Sequence, residues 1–151
     1  MRIYSWFGKK VRNHKLTQSY QTGKQEKMVF MEQTNKVDVA IHAHSQWLIR
    51  LIVAIDKGTS EFKPEIVKAD NNCEFGKWLY GGFPAQQKGS VLYKEIKDLH
   101  AKFHAEAARI LSLAISNQNE EAMNALVDNG EFRKISKLLI NKLTDLKKAV
   151  W

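Results

Sequence analysis

The sequence predicts an all-α fold, an antiparallel four-helix-type bundle with a glycine-broken connection, on two observations. The chain of 151 residues contains only eight glycines and two prolines, and none of these lies in the ranges 25–57, 90–129 or 131–151. Stretches this long without helix breakers are typical of helices. Within each stretch the apolar residues recur at steps of three and four, whereas no strand-like alternation competes.

Each of the three stretches predicts one amphipathic helix, because its apolar residues form a single stripe. The connection at 56–90 holds most of the glycines and both prolines. A shorter helix is predicted from Asn119 to Gly130, with acidic residues in its first turn and a glycine at its end. The stripes are Val37, Ala40, Ile41, His44, Trp47, Leu48, Leu51 and Ile55; Leu92, Ile96, Leu99, Phe103, Ala107, Ile110 and Ala114; and Phe132, Ile135, Leu139, Leu143, Leu146 and Val150.

The composition excludes a disordered chain, since 44% of the residues are hydrophobic and 26% are charged. A single cysteine, Cys73, allows no intrachain disulfide and favours a reducing compartment, so we expect a cytoplasmic protein. No apolar run approaches the ~20 residues that span a membrane. The N-terminal residues show no secretory signal pattern.

The formal charge of +8 is concentrated at the N-terminus, where residues 1–27 carry seven basic side chains and one acidic one. Such a basic, polar stretch without an apolar period is typical of a flexible tail. We therefore expect a flexible segment at 1–30 and a single helical domain at 31–151. An alternative is that residues 1–27 bind nucleic acid or an anionic membrane surface, which the nearly balanced charge of the remaining residues does not favour.

Four residues form a candidate metal site. His100 and His104 lie one helical turn apart, a spacing at which two imidazoles chelate one metal, although such pairs are more often surface or packing residues. His44 lies within an apolar stripe, and Cys73 is the only thiol. Together they form a His₃Cys set that suits tetrahedral zinc, whereas His42 faces away from His44 on a helix.

Three sequence blocks resemble, in order, the H-x-x-W, C-x-x-G-K-W and H-x-x-x-H motifs of the chemoreceptor zinc-binding (CZB) domain family. They are HSQW at 44–47, CEFGKWLYG at 73–81 and LHAKFHAEA at 99–107. The resemblance implies the same ligands, His44, Cys73, His100 and His104, with zinc as the cofactor. Glu74 stands where the family often has a basic residue, and an acid there raises the thiol pKa and slows its oxidation.

The family consists of bacterial cytoplasmic zinc sensors, often dimeric and often joined to chemoreceptors or diguanylate cyclases. The resemblance therefore implies a sensory or regulatory module in chemotaxis or cyclic-di-GMP signalling, switched by zinc occupancy or by oxidation of Cys73. We expect a homodimer, possible contact with a signalling protein, and no small-molecule substrate. We also expect no enzymatic activity, because a zinc ion with four protein ligands lacks the open position of a catalytic site. A zinc enzyme in which water replaces one ligand is the remaining alternative.

Overall fold

The computed structural model describes the backbone of residues 7–149 and the side chains of residues 21–149. All regular structure in this range is helical, which confirms the predicted all-α bundle. The helices are α1 (Phe7–Ser45), α2 (Trp47–Lys57), α3 (Pro64–Lys68), α4 (Glu74–Lys77), α5 (Val91–Ile115), α6 (Asn119–Ala125) and α7 (Glu131–Lys148). A π-helical turn at Trp78–Gly82 and a 3₁₀ turn at Ala85–Gln87 lie in the connection before α5.

The first predicted stripe spans two helices that meet at Gln46. The backbone of Gln46 keeps helical dihedral angles, with φ −73° and ψ −16°. The N–H of Gln46 donates to the carbonyl of His42 at 3.3 Å, and the N–H of Arg50 donates to the carbonyl of Gln46 at 3.1 Å. Because the helical path is nearly continuous, the buried side of α1 continues into α2.

Helix α5 is the centre of the bundle and contacts α2, α3, α6 and α7. Its N-terminus is capped by Ser90, whose Oγ accepts a hydrogen bond from the N–H of Tyr93 at 3.1 Å. Most of the predicted stripe residues are buried, and the others are partly buried. Val150, which the sequence placed at the end of the last stripe, lies outside the described residues.

The chain divides into two compact units with their boundary between Asn35 and Lys36. The N-terminal segment, expected to be a flexible tail, is helical from Phe7 onward. Its described side chains at 21–32 are all exposed, which explains why the sequence shows no apolar period there. The division of the chain at residue 30 stays a prediction. None of the described helices combines the length and apolar content that crossing a membrane requires.

Candidate metal centre

Four side chains from three parts of the fold converge on one point. His44 lies in the last turn of α1, Cys73 immediately precedes α4, and His100 and His104 lie one turn apart on α5. One ligand atom from each of the four lies within 4.8 Å of all the others. The structure thus brings together every candidate ligand that the sequence indicated.

The imidazole of His44 is oriented by the backbone of its own helix. Its Nδ1 lies 2.7 Å from the carbonyl oxygen of Ala40, and since a carbonyl only accepts, Nδ1 carries the proton. The Nε2 lone pair therefore points to the opposite side, where Nε2 of His100 lies 3.1 Å away. His44 is only 3% exposed, so water has little access to this nitrogen.

His104 repeats this arrangement with a carbonyl from α3. Its Nδ1 lies 2.6 Å from the carbonyl oxygen of Val67, which assigns the proton to Nδ1. Its Nε2 is buried and has no hydrogen-bond partner among the described residues. Buried polar atoms are rarely left unsatisfied, so an unpaired lone pair aimed at two other imidazoles fits a bound cation.

His100 lies at the middle of the group and is fully buried. Its Nε2 is 3.1 Å from Nε2 of His44 and 3.4 Å from Sγ of Cys73. Its Nδ1 faces away from the centre, 3.4 Å from Oδ2 of Asp70. When Nδ1 carries the proton, two imidazole lone pairs face each other, and a shared cation relieves their repulsion.

Cys73 is positioned by the short helix that follows it. The N–H of Gly76 donates to Sγ of Cys73 at 3.2 Å, so the sulfur caps α4. Gly76 permits this turn because a Cβ there would lie 1.8 Å from the carbonyl oxygen of Asp70. Glu74, beside the cysteine, is exposed and pairs with Lys77 at 2.6 Å.

Two of the ligand-atom separations match a tetrahedral zinc site, whereas the cluster as a whole spans up to 4.8 Å. Zinc binds imidazole nitrogen at about 2.0–2.1 Å and thiolate sulfur at about 2.3 Å, so ligand atoms at the corners of a tetrahedron are about 3.3–3.6 Å apart. The His100–His44 and His100–Cys73 separations of 3.1 and 3.4 Å are close to these values. The donor set of three imidazoles and one thiol suits zinc better than magnesium or calcium, which prefer oxygen.

Burial sets the protonation of the group. It lowers the pKa of His44 to about 4 and that of His100 to about 2, and it also lowers the pKa of His104. Burial raises the pKa of Cys73, although the N–H groups of Gly76 and Phe75 act in the opposite direction. At neutral pH the imidazoles are therefore neutral and ready to bind, whereas the thiol loses its proton when a cation takes its place.

Two phenylalanines, neither of which was predicted to belong to the site, line it. The ring of Phe75 lies 5.8 Å from that of His44 and 5.1 Å from that of His100. The ring of Phe103 lies 5.1 Å from His44 and 5.9 Å from His104. Phe75 lies inside the cysteine motif and Phe103 between the α5 histidines, so their positions in the motifs were the available signal.

The tryptophans of two sequence motifs each pack against a phenylalanine. Trp47 packs against Phe62 with its ring 5.2 Å away, and Trp78 packs against Phe75 at 5.6 Å. His42 is exposed, as its helical phase predicted. The side chain of His14 lies outside the described residues.

Comparison with known families agrees with this geometry. The family model of the chemoreceptor zinc-binding domain matches residues 44–111, a range that contains all four converging side chains. Neither the curated proteins nor the solved structures gave a match. The four side chains are positioned to bind a metal ion, and the matched family binds zinc. The matched range also holds the three motifs at 44–47, 73–81 and 99–107 that carry the resemblance to this family.

Proposed function

We propose that His44, Cys73, His100 and His104 ligate one zinc ion and that the chain acts as a zinc-binding sensory or regulatory module. The convergence of the four ligand atoms within 4.8 Å carries this proposal. The metal joins the end of α1, the start of α4 and the middle of α5. Its binding or loss therefore acts on the packing of three segments that lie far apart in sequence.

The module performs no catalysis of its own. Four protein donors fill a tetrahedral zinc shell, which leaves no position for a reactive water. The nearby carboxylate of Asp70 faces Nδ1 of His100, on the side of the imidazole away from the converging ligand atoms. It therefore lies on the wrong side to activate a water at the metal.

Cys73 is the member of the set best placed to respond to an oxidant. It is partly exposed, whereas the three histidines are buried. Hypochlorous acid would transfer oxygen to the thiolate, giving a sulfenic acid and chloride, with the sulfur losing two electrons to the chlorine. A sulfenic acid is a weaker ligand, so oxidation favours zinc release. The Glu74 charge that slows this reaction is partly offset by Lys77, 2.6 Å away.

The change in packing that follows zinc binding or loss is passed to another protein or to a second copy of the chain. The family resemblance supports a homodimer and a bacterial signalling partner in chemotaxis or cyclic-di-GMP signalling, with a cytoplasmic location. Exposed apolar side chains on α2, at Ile49, Ile52 and Val53, support an association of this kind.

The test of the proposed function is elemental analysis of the protein purified without chelator. We expect about one zinc per chain in the wild type and a large loss of zinc in the Cys73→Ala variant. Absence of zinc after growth and purification with zinc would refute the proposal.

A second experiment tests the oxidation step separately. Hypochlorous acid is titrated into the zinc-loaded protein while a chromogenic chelator reports zinc and intact mass reports Cys73. We expect zinc release to track formation of the sulfenic acid or its further oxidised forms. Complete oxidation of Cys73 with full retention of zinc would leave the metal site standing and remove the switch.

A further inference from the structure

The three histidines differ in the group that faces Nδ1, the ring nitrogen turned away from the other candidate ligands. Nδ1 of His44 and Nδ1 of His104 each face a backbone carbonyl, at 2.7 and 2.6 Å. Nδ1 of His100 is buried and has no hydrogen-bond partner among the described residues. The Asp70 carboxylate, whose side chain is 19% exposed, approaches this nitrogen to 3.4 Å through Oδ2.

The same carboxylate oxygen is held from its other side by Tyr80. The hydroxyl of Tyr80 donates to Oδ2 of Asp70 at 2.5 Å. Tyr80 lies in the π-helical turn after α4, and its own carbonyl accepts from Nζ of Lys88 at 2.9 Å. Nζ of Lys97, on α5, lies 5.1 Å from the centre of the Tyr80 ring, so contacts from two sides restrain the tyrosine.

We infer that Asp70 is the positioning residue of the metal site, fixed by Tyr80 and accepting a hydrogen bond from Nδ1 of His100. This inference rests on the proposed zinc function. A cation at Nε2 polarises the imidazole and makes Nδ1–H a stronger donor, so a separation of 3.4 Å shortens to a charge-assisted hydrogen bond of about 2.7–2.9 Å. The hydrogen bond fixes the tautomer that presents the Nε2 lone pair to the metal.

The charge of Asp70 supplies a second contribution that neither backbone carbonyl can make. A divalent cation with one thiolate and three neutral imidazoles leaves one net positive charge in a buried site. A carboxylate on the outer side of His100 compensates that charge, and little water is present to screen the attraction. Asp70 thus sets the metal affinity of the site without binding the metal.

The test measures zinc affinity by competition with a colorimetric chelator in the full chain. Loss of a group that hydrogen-bonds to a metal ligand, without binding the metal itself, typically weakens metal binding by about 10–100-fold. We expect a loss of this size for Asp70→Ala. Asp70→Asn should lose less, because the amide oxygen still accepts a hydrogen bond but carries no charge. Tyr80→Phe should also lose less, because the carboxylate remains and loses only its restraint.

Asp98→Ala is the matched control, since it removes an aspartate from the same region of the chain without touching the site. Asp98 lies on α5 two residues before His100, but it is exposed and pairs with Lys102 at 2.7 Å. We expect its zinc affinity to equal that of the wild type.

A spectroscopic readout distinguishes positioning from a general loss of stability. In the zinc-loaded protein, ¹H–¹⁵N spectra should show a slowly exchanging Nδ1–H of His100 shifted far downfield, and the Asp70 variants should lose that shift. The inference is overturned if Asp70→Ala and Tyr80→Phe bind zinc within twofold of Asp98→Ala and leave the His100 resonance in place. If the wild type itself binds no zinc, the proposed function fails first, and the inference falls with it.

Discussion

Gly76 lies against the backbone of Asp70 so closely that a Cβ on the glycine would be 1.8 Å from the Asp70 carbonyl oxygen. This contact folds the segment before α4 back onto the helix. It places the N–H of Gly76 3.2 Å from Sγ of Cys73 and the Asp70 side chain beside His100. Gly76 thereby positions two groups. One is the candidate ligand Cys73, and the other is the carboxylate of Asp70, which lies beside the candidate ligand His100.

Gly76→Ala is expected to displace the segment at 70–73 and to weaken zinc binding. The clash involves backbone on both sides, so no side-chain rotation relieves it. Overpacking of this kind costs at least about 1–3 kcal/mol of folding free energy. Zinc affinity and the melting temperature should both fall, as measured by chelator competition and circular dichroism.

Gly89→Ala is the control for this variant, because a Cβ at Gly89 meets no atom within 4 Å. We expect it to bind zinc and to melt as the wild type does. Wild-type zinc affinity in Gly76→Ala would contradict the role assigned to this contact.

His104→Ala is expected to weaken zinc binding by more than ~100-fold. Loss of a group that only hydrogen-bonds to a ligand can cost that much, and His104 is itself a candidate ligand. The variant removes the donor whose Nε2 has no other partner among the described residues. It also opens a coordination position to water. Competition with a chelator of known affinity measures the change.

The His42→Ala variant is matched to this experiment, because His42 is exposed on the same helix as His44. Its zinc affinity should be unchanged. Equal affinities of the His104→Ala and His42→Ala variants would show that the histidine cluster does not hold the metal.

Removal of the metal is expected to lower the melting temperature without unfolding the helices. Binding to the native state alone stabilises it by about 2.7 kcal/mol at a free metal concentration a hundred times the dissociation constant. The bundle also has a core of its own, including Phe103, Leu139 and Leu143, which are buried without the metal. Far-ultraviolet circular dichroism with and without chelator checks both points, and a coil spectrum after chelation would contradict the second.

The metal-stripped protein is expected to lose stability as the pH falls below about 6.5, the ordinary histidine pKa. Burial lowers the pKa of His44 to about 4 and that of His100 to about 2. Between the ordinary histidine pKa and these lowered pKa values, the unfolded chain binds protons that the folded chain does not. Lowering the pH therefore favours unfolding. The slope is about 1.4 kcal/mol per pH unit for each such histidine.

Urea unfolding of the stripped protein at several pH values measures this slope. Replacing His44 with Gln should reduce it, because the variant removes one of the histidines whose pKa burial lowers. A free energy of unfolding that stays constant between pH 6.5 and 4.5 would contradict the expected protonation of the cluster.

The helices and the four candidate ligands could be predicted from sequence because each leaves a local signal. Apolar periodicity marked α5 and α7, and histidine spacing with three ordered motifs marked the site. Residues 21–32 of α1 left no such signal, since their side chains are exposed and follow no apolar period. Helical propensity without burial is a weak signal, so the sequence of this segment predicts a flexible tail although its backbone is helical from Phe7 onward.

The residues around the candidate ligands could not be predicted in this way, because contacts between residues distant in sequence bring them together. Asp70 and Tyr80 are ten positions apart and meet only because the π-helical turn brings the tyrosine back over the segment after α3. A sequence leaves Asp70 equally compatible with a solvated turn or a helix cap. The carbonyl of Val67 behind His104 likewise requires the packing of α3 on α5.

X-ray absorption at the zinc edge identifies the atoms that bind the metal. We expect a four-coordinate zinc with three imidazole nitrogens at about 2.0–2.1 Å and one sulfur at about 2.3 Å. The sulfur shell should disappear in the Cys73→Ala variant. A first shell without sulfur in the wild type, or with a water oxygen replacing a protein donor, would contradict the closed His₃Cys site.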